Sequence, residues 1–161
     1  MWTCPHCDRS FGVRRAHVCA PGMPIEARLA DLPDGQRRAA LAVLSALRRH
    51  EQLIIEAVSV GILVKLDGSL IELRPKTKWL DLSFISPEAI DSPRIARIAE
   101  WPSGRAYFVH LTDKSDVDAE LRGWLAHAIR AASARRPRAA KRETARADTR
   151  RARARRTGPR K

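Results

Sequence analysis

Aromatic side chains are scarce. Four tryptophans, three phenylalanines and one tyrosine make up 5% of 161 residues. The 44% hydrophobic share still supports a folded core, and the length fits one ordinary domain with small appendages. Acidic groups are also short: 18 Asp and Glu face 31 Lys and Arg, a formal charge of +13. That balance argues for an anionic partner, nucleic acid first and an anionic membrane surface second, and against an acid-loving secreted hydrolase. Long apolar runs are missing. The longest, Ala57 to Val64, is broken by Ser59 and Gly61, whereas a spanning helix needs about 20 apolar residues. The start, Met1-Trp2-Thr3-Cys4-Pro5, shows no basic region followed by an apolar one. No secretory signal is therefore expected, and a cytoplasmic location follows.

Enzyme signatures are absent as well. The chain holds no Gly-x-x-x-x-Gly-Lys-Ser/Thr loop, no Gly-x-Gly-x-x-Gly, no His-Glu-x-x-His and no Gly-x-Ser-x-Gly. His50-Glu51 lacks the second histidine. A restriction-type nuclease would show an acid, a gap, then lysine. No such triplet occurs, and Glu72-Leu73-Arg74 substitutes a guanidinium that cannot act as a titrating amine. An enzyme acting on nucleic acid would have to lean on a group such as His110 or Asp81. No catalytic residue and no small-molecule cofactor is assigned.

What is present falls into zones. Residues 1–22 form a Cys/His module. Residues 23–35 read as a linker, since Pro24 and Pro33-Asp34-Gly35 are turn signals. Residues 36–134 are the part able to build a conventional core, and 135–161 form an Arg-rich tail. Residues 131–161 carry 13 of the 31 basic groups and 2 of the 18 acids, so +11 of the net charge lies there. That stretch has no Val, Ile, Leu, Met or aromatic residue, cannot bury enough surface to offset chain entropy, and is expected to be disordered when free.

Periodicity predicts the core elements. Ala40, Val43, Leu44, Leu47 and His50 repeat at helical spacing over Gln36 to about His50. Asp67-Gly68 between two apolar runs, Gly61 to Leu66 and Ser69 to Arg74, predicts a hairpin. Leu80, Leu82 and Phe84 alternate with Asp81 and Ser83, predicting a strand from Lys78 to Ile85. Arg94 to Trp101 fits strand or helix, and Arg105 to Leu111 reads as a strand after the turn at Trp101-Pro102-Ser103-Gly104. Ser115-x-x-Asp118 reads as a capping box opening a helix with the stripe Val117, Leu121, Trp124, Leu125 and Ala128. The predicted class is α+β: a small zinc module, then a domain of helix, antiparallel sheet and helix with the helices on one face, then the disordered tail.

Four residues point to metal. Cys4-x2-Cys7 is followed after nine residues by His17-x-Cys19. An odd set of three cysteines in a reducing compartment indicates ligation rather than disulfides. Thiolates and imidazole are what zinc prefers, and four protein ligands leave no position for a catalytic water, so the expected cofactor is structural Zn2+. So short a segment has almost no core of its own, and metal would supply most of its folding energy. His6 is the spare imidazole. The competing reading, a redox Cys-x-x-Cys, lacks the surrounding βαβ pattern.

The remaining candidates are cationic. Arg135, Arg136, Arg138, Lys141, Arg142, Arg150, Arg151, Arg153, Arg155, Arg156, Arg160 and Lys161 are candidate phosphate ligands. Guanidinium pairs bidentately with phosphate, and counterion release gives affinity without base preference. With no aromatic interleaved, the tail itself stacks no base. A second contact is expected at Arg74, Lys76, Lys78 and Trp79, where three cations and an indole surround a turn. The rival reading packs Trp79 inward. Asp113, Asp116, Asp118 and Glu120 form an acidic cluster that fits a helix start.

The order of these pieces resembles the bacterial domain-of-unknown-function family 5655, in its form with an N-terminal Cys/His element. The matching pieces are Trp2-Thr3-Cys4-Pro5-x-Cys7, Ser10-Phe11 and His17-x-Cys19. After them come Arg74-Pro75-Lys76-x-Lys78-Trp79-Leu80-Asp81-Leu82, Asp91-Ser92-Pro93-Arg94-Ile95, His110-Leu111-Thr112, Asp116-Val117-Asp118-x-Glu120-Leu121 and Trp124-Leu125. The similarity covers residues 1 to about 132 and leaves the tail outside. It implies an α+β domain and supplies no established activity. Its members occur as a terminal piece of larger proteins associated with DNA restriction, which implies nucleic-acid work. Many relatives carry a more polar, basic segment where this chain has Ala57-Val58-Ser59-Val60, so a ligand held there in relatives is not expected here.

The reading that results is a small cytoplasmic zinc-containing protein that binds DNA or RNA largely without sequence preference. The alternative is a protein-interaction adaptor with a protein partner and no direct nucleic-acid role. The full-length chain purified without chelator is expected to carry about one zinc ion. Cys7→Ser or Cys19→Ser should lose it, as metal analysis by mass spectrometry would record; a metal-free wild-type chain would overturn the assignment.

Overall fold

The computed structural model describes residues 2–5, 10–11, 14, 23–66, 68–101 and 104–135. Short strands β1 (Trp2–Thr3) and β2 (Ser10–Phe11) pair antiparallel at the N-terminus. Helices α1 (Ile25–Ala30) and α2 (Asp34–Leu47) follow. Six strands come next: β3 (Ile54–Val58), β4 (Gly61–Lys65), β5 (Ser69–Pro75), β6 (Leu80–Ser86), β7 (Arg97–Trp101) and β8 (Gly104–Leu111). A 3-10 turn, Lys114–Asp116, leads to a last helix, α3, over 119–135. The class is α+β, with one antiparallel six-stranded sheet in the order β3-β4-β5-β6-β8-β7.

Alternation builds the core. On β6, Leu80, Leu82, Phe84 and Ser86 are buried while Asp81, Ser83 and Ile85 face the other way. Register puts Leu73 and Val109 on either side of Leu82, and Ile71 and Tyr107 on either side of Phe84. Val43 and Leu47 of α2 and Leu121, Leu125 and Ile129 of α3 join the same buried cluster, so the helices cover this face. Each fully buried Leu or Ile contributes roughly 1.5–3 kcal/mol relative to exposure.

Residues 87–96 carry the chain past β8 to the far edge, where β7 begins. Tyr107 fixes this crossover: its hydroxyl donates to the Glu88 carbonyl (2.9 Å) and accepts from the Ile90 amide (3.2 Å). The opposite face of the sheet carries no helix among the described residues. Half-buried Leu63, Ile85 and Phe108 lie there, and the Arg97 guanidinium stands 3.6 Å over the Phe108 ring.

Three expectations change. The segment expected as a linker contains α1, and Leu29 and Leu32 enter the core. Its prolines start helices rather than break them: Pro24 and Pro33 occupy the N-cap positions, where a missing N–H removes no intrahelical bond. Strand β3 lies where no strand is predicted. The capping box is Asp113 with Asp116, around the 3-10 turn, rather than Ser115 with Asp118. Asp118 instead caps α3 alone, accepting from the Leu121 amide at 3.0 Å.

Two glycines test this packing with opposite signs. Gly61 has a φ of 157°, and a Cβ there would collide with the Leu73 carbonyl oxygen across the β4–β5 pair. Gly123 lies inside α3 with open space around it. Gly61→Ala is expected to cost about 2 kcal/mol or more, and Gly123→Ala to gain about 1 kcal/mol. Urea unfolding of the two variants checks both signs.

Candidate functional site

The β5–β6 turn places the expected second contact at one end of the sheet. The Lys76 amide donates to the Trp79 carbonyl (2.8 Å), closing the hairpin. Gln36, buried at the start of α2, donates its side-chain amide to the Lys76 carbonyl at 2.7 Å. A side chain of the helix layer thus holds the turn from behind. Lys76, Thr77 and Lys78 are all exposed, and with Pro75 and Trp79 they line an open hollow of about 590 Å³.

Trp79 does not enter the core. Leu80 takes the inward position at the start of β6, so its neighbour Trp79 lies on the outer side with Asp81. There the indole is half-buried and stacks on His110, ring centroids 4.2 Å apart and 21° from parallel. His110 of β8 is the register partner of Asp81, with Nε2 at 3.8 Å from Asp81 Oδ1. That is too long for a hydrogen bond. Arg74 pairs with Asp81 from the β5 side, and its Nε meets Glu72 Oε1 at 2.7 Å. The structure therefore brings Arg74, Lys76, Lys78 and Trp79 together and adds His110, Asp81 and Gln36. Those additions depend on strand order and on a helix far away in sequence. The one cue in the chain was the alternation that sets Trp79 beside Asp81.

The acidic cluster serves the fold. Arg38 of α2 reaches Asp113 with two nitrogens, Nε at 3.0 Å from Oδ1. Asp116 accepts from the amide and hydroxyl of Thr112 and from the Asp113 amide. Arg94 of the crossover meets both Asp118 oxygens at 2.8 Å and Glu120 at 3.2 Å. Its guanidinium also lies 5.8 Å from the Trp124 ring centre. His127 of α3 faces Glu88 at 3.1 Å, beside an open groove of about 430 Å³ whose lining includes Trp124 and Asp91.

Other candidates fall partly outside the described residues. Cys4 is buried and follows β1 directly. A strand pair such as β1 and β2 suits a Cys-x-x-Cys zinc turn, and the donor set suits zinc. Cys7, His17 and Cys19 lie outside the described residues, as do Arg136, Arg138, Lys141, Arg142, Arg150, Arg151, Arg153, Arg155, Arg156, Arg160 and Lys161. Arg135 is exposed at the last described position of α3. Among the described residues no helix is long and apolar enough to cross a membrane. Compared with family models, with curated proteins and with solved structures, the chain matches none.

The acidic clamps have a pH signature. The Arg38 guanidinium, then the Lys114 amide, hold the Asp113 carboxyl down at about 2, below its ordinary 3.8. Asp118 is also lowered, by the Leu121 amide and then by Arg94. Burial pushes Asp116 up, but the hydrogen bonds from Thr112 and Asp113 leave it lowered. A folded-state value below the unfolded one adds stability above about 3.8 that is lost as pH falls through the folded value. Asp113→Asn is therefore expected to lower the urea midpoint at neutral pH. The deficit should shrink as pH drops from about 4 towards about 2; a deficit independent of pH would overturn the clamp.

Proposed function

We propose that the chain binds nucleic acid largely without base preference. Its Arg-rich tail is the main phosphate clamp, and the cationic β5–β6 turn is a second contact on a rigid domain. The observation that carries this reading is the charge partition: +11 of the net +13 lies in residues 131–161. So dense a run of guanidinium groups exchanges condensed counterions for phosphate contacts. Exposed Lys76 and Lys78 beside half-buried Trp79 support a second point of attachment. In this reading zinc on Cys4, Cys7, His17 and Cys19 folds the N-terminal module, the location is cytoplasmic, and a link to DNA restriction or defence is what the resemblance to family 5655 suggests.

The adaptor reading draws on a different observation. Ile54 on edge strand β3 and Ile98 on edge strand β7 are at least half exposed, at 57% and 50%, and unpaired edges are sites of strand addition. A protein partner retained in pull-downs after thorough nuclease treatment would favour it.

Salt titration separates the roles. Log affinity falls with log salt by roughly 0.7–0.9 per neutralised phosphate. The full chain is expected to show a steep slope on DNA and RNA. Truncation after Ala134 should flatten the slope and remove most of the affinity; binding unchanged by truncation would refute the tail's role.

A further inference from the structure

Resting on the nucleic-acid reading, the geometry around Trp79 points to a site for one unpaired base, so that the chain favours single-stranded nucleic acid over duplex. The indole is already half of an aromatic stack. His110 backs it at 4.2 Å and 21°, and the imidazole is itself placed by its β8 register opposite Asp81. The hairpin bond from Lys76 to Trp79 and the Gln36 brace hold the turn in place. A ring fixed before binding gives up little freedom when a base is added, and every base has a face to offer.

The surroundings suit a nucleotide rather than an apolar side chain. The hollow beside the indole is open to solvent and lined by Pro75 to Trp79, so a base could reach the ring from outside. Its rim is cationic. Lys76 and Lys78 are exposed on either side of Thr77, and Arg74 stands at the base of the turn. A base laid on Trp79 would therefore have ammonium groups near the phosphates that flank it. An apolar side chain docking there would meet the same cations with nothing to neutralise them.

Duplex offers this site little. Its bases already have both faces covered by their neighbours, so the indole could be used only by unstacking a pair. The turn presents cations, one hydroxyl and an aromatic surface, and stacking on that surface draws on the face that every base offers. The expected selectivity is for unpaired over paired, with little regard to which base.

The tail does not obscure the test, because it reads phosphate. Full-length protein is titrated with a labelled single-stranded oligonucleotide, with the same strand built from abasic units, and with the corresponding duplex, at matched ionic strength. The base-bearing strand is expected to bind roughly tenfold tighter than the abasic one. Trp79→Ala should erase that difference, and Trp79→Phe, which keeps an aromatic ring, should retain most of it. Equal affinity of the wild-type chain for base-bearing and abasic strands overturns the site and leaves the phosphate-binding reading standing. A Trp79→Ala loss that is equal on duplex, abasic and base-bearing strands also overturns it. No binding to any of the three overturns both proposals.

Discussion

Strand β6 is the element on which the rest depends. It is paired on both sides, with β5 and with β8, and its period of two assigns every neighbour a face. Leu80, Leu82 and Phe84 turn towards α2 and α3 and organise the core. The same alternation leaves Trp79, Asp81 and Ser83 on the outer side. A shift of one residue in the β6–β8 register would bury a carboxylate and undo the Asp81 and His110 pairing together. Core and candidate site are thus two readings of one strand.

Helices reach the site only indirectly. Gln36 is one of two buried polar residues in the described chain, and its amide is spent on a turn carbonyl rather than on its own helix. Arg38, half a turn further on, ties α2 to the segment that follows β8. Together they fix α2 to both ends of the outer rim, the hairpin bearing Trp79 and the exit from His110. The acidic cluster around Asp113 and Asp118 is spent on Arg38 and Arg94 and holds elements in place, which leaves the lysines of the turn as exposed charge beside the indole.

Much of this was legible because it was local. Asp67-Gly68 marked the β4–β5 hairpin, alternation marked β6, and the helical repeat marked α2 to within a few residues. What was missed was shaped by tertiary context. In β3, Ile55 and Ala57 on one face and Val58 on the other are all at least half-buried, so the alternation that reveals a strand is blurred. The two prolines that suggested a spacer mark helix starts, a difference visible only once Leu29 and Leu32 have a core to enter. Strand β7 was ambiguous because it is an edge: Ile98 faces the core side yet stays half exposed, while Arg97 covers Phe108. At the site, the cations and Trp79 could be read directly. His110 could be joined to them only by knowing that β8, not β7, lies beside β6. The zinc ligands and most of the tail fall outside the described residues, so their case rests on spacing and charge.

The crossover over residues 87–96 shapes how the fold can be reached. The meander from β3 to β6 and the β7–β8 hairpin each form from residues close in the chain. The β6–β8 seam does not, because the crossover and β7 separate its two strands in the chain. Closing that seam costs loop entropy before it returns any burial. The two sub-sheets meet along that seam, where Leu82 faces Val109, and the Tyr107 hydroxyl ties the crossover beside it. His110 and Trp79 come from opposite sides of that seam, so their stack exists only where the two sub-sheets are joined.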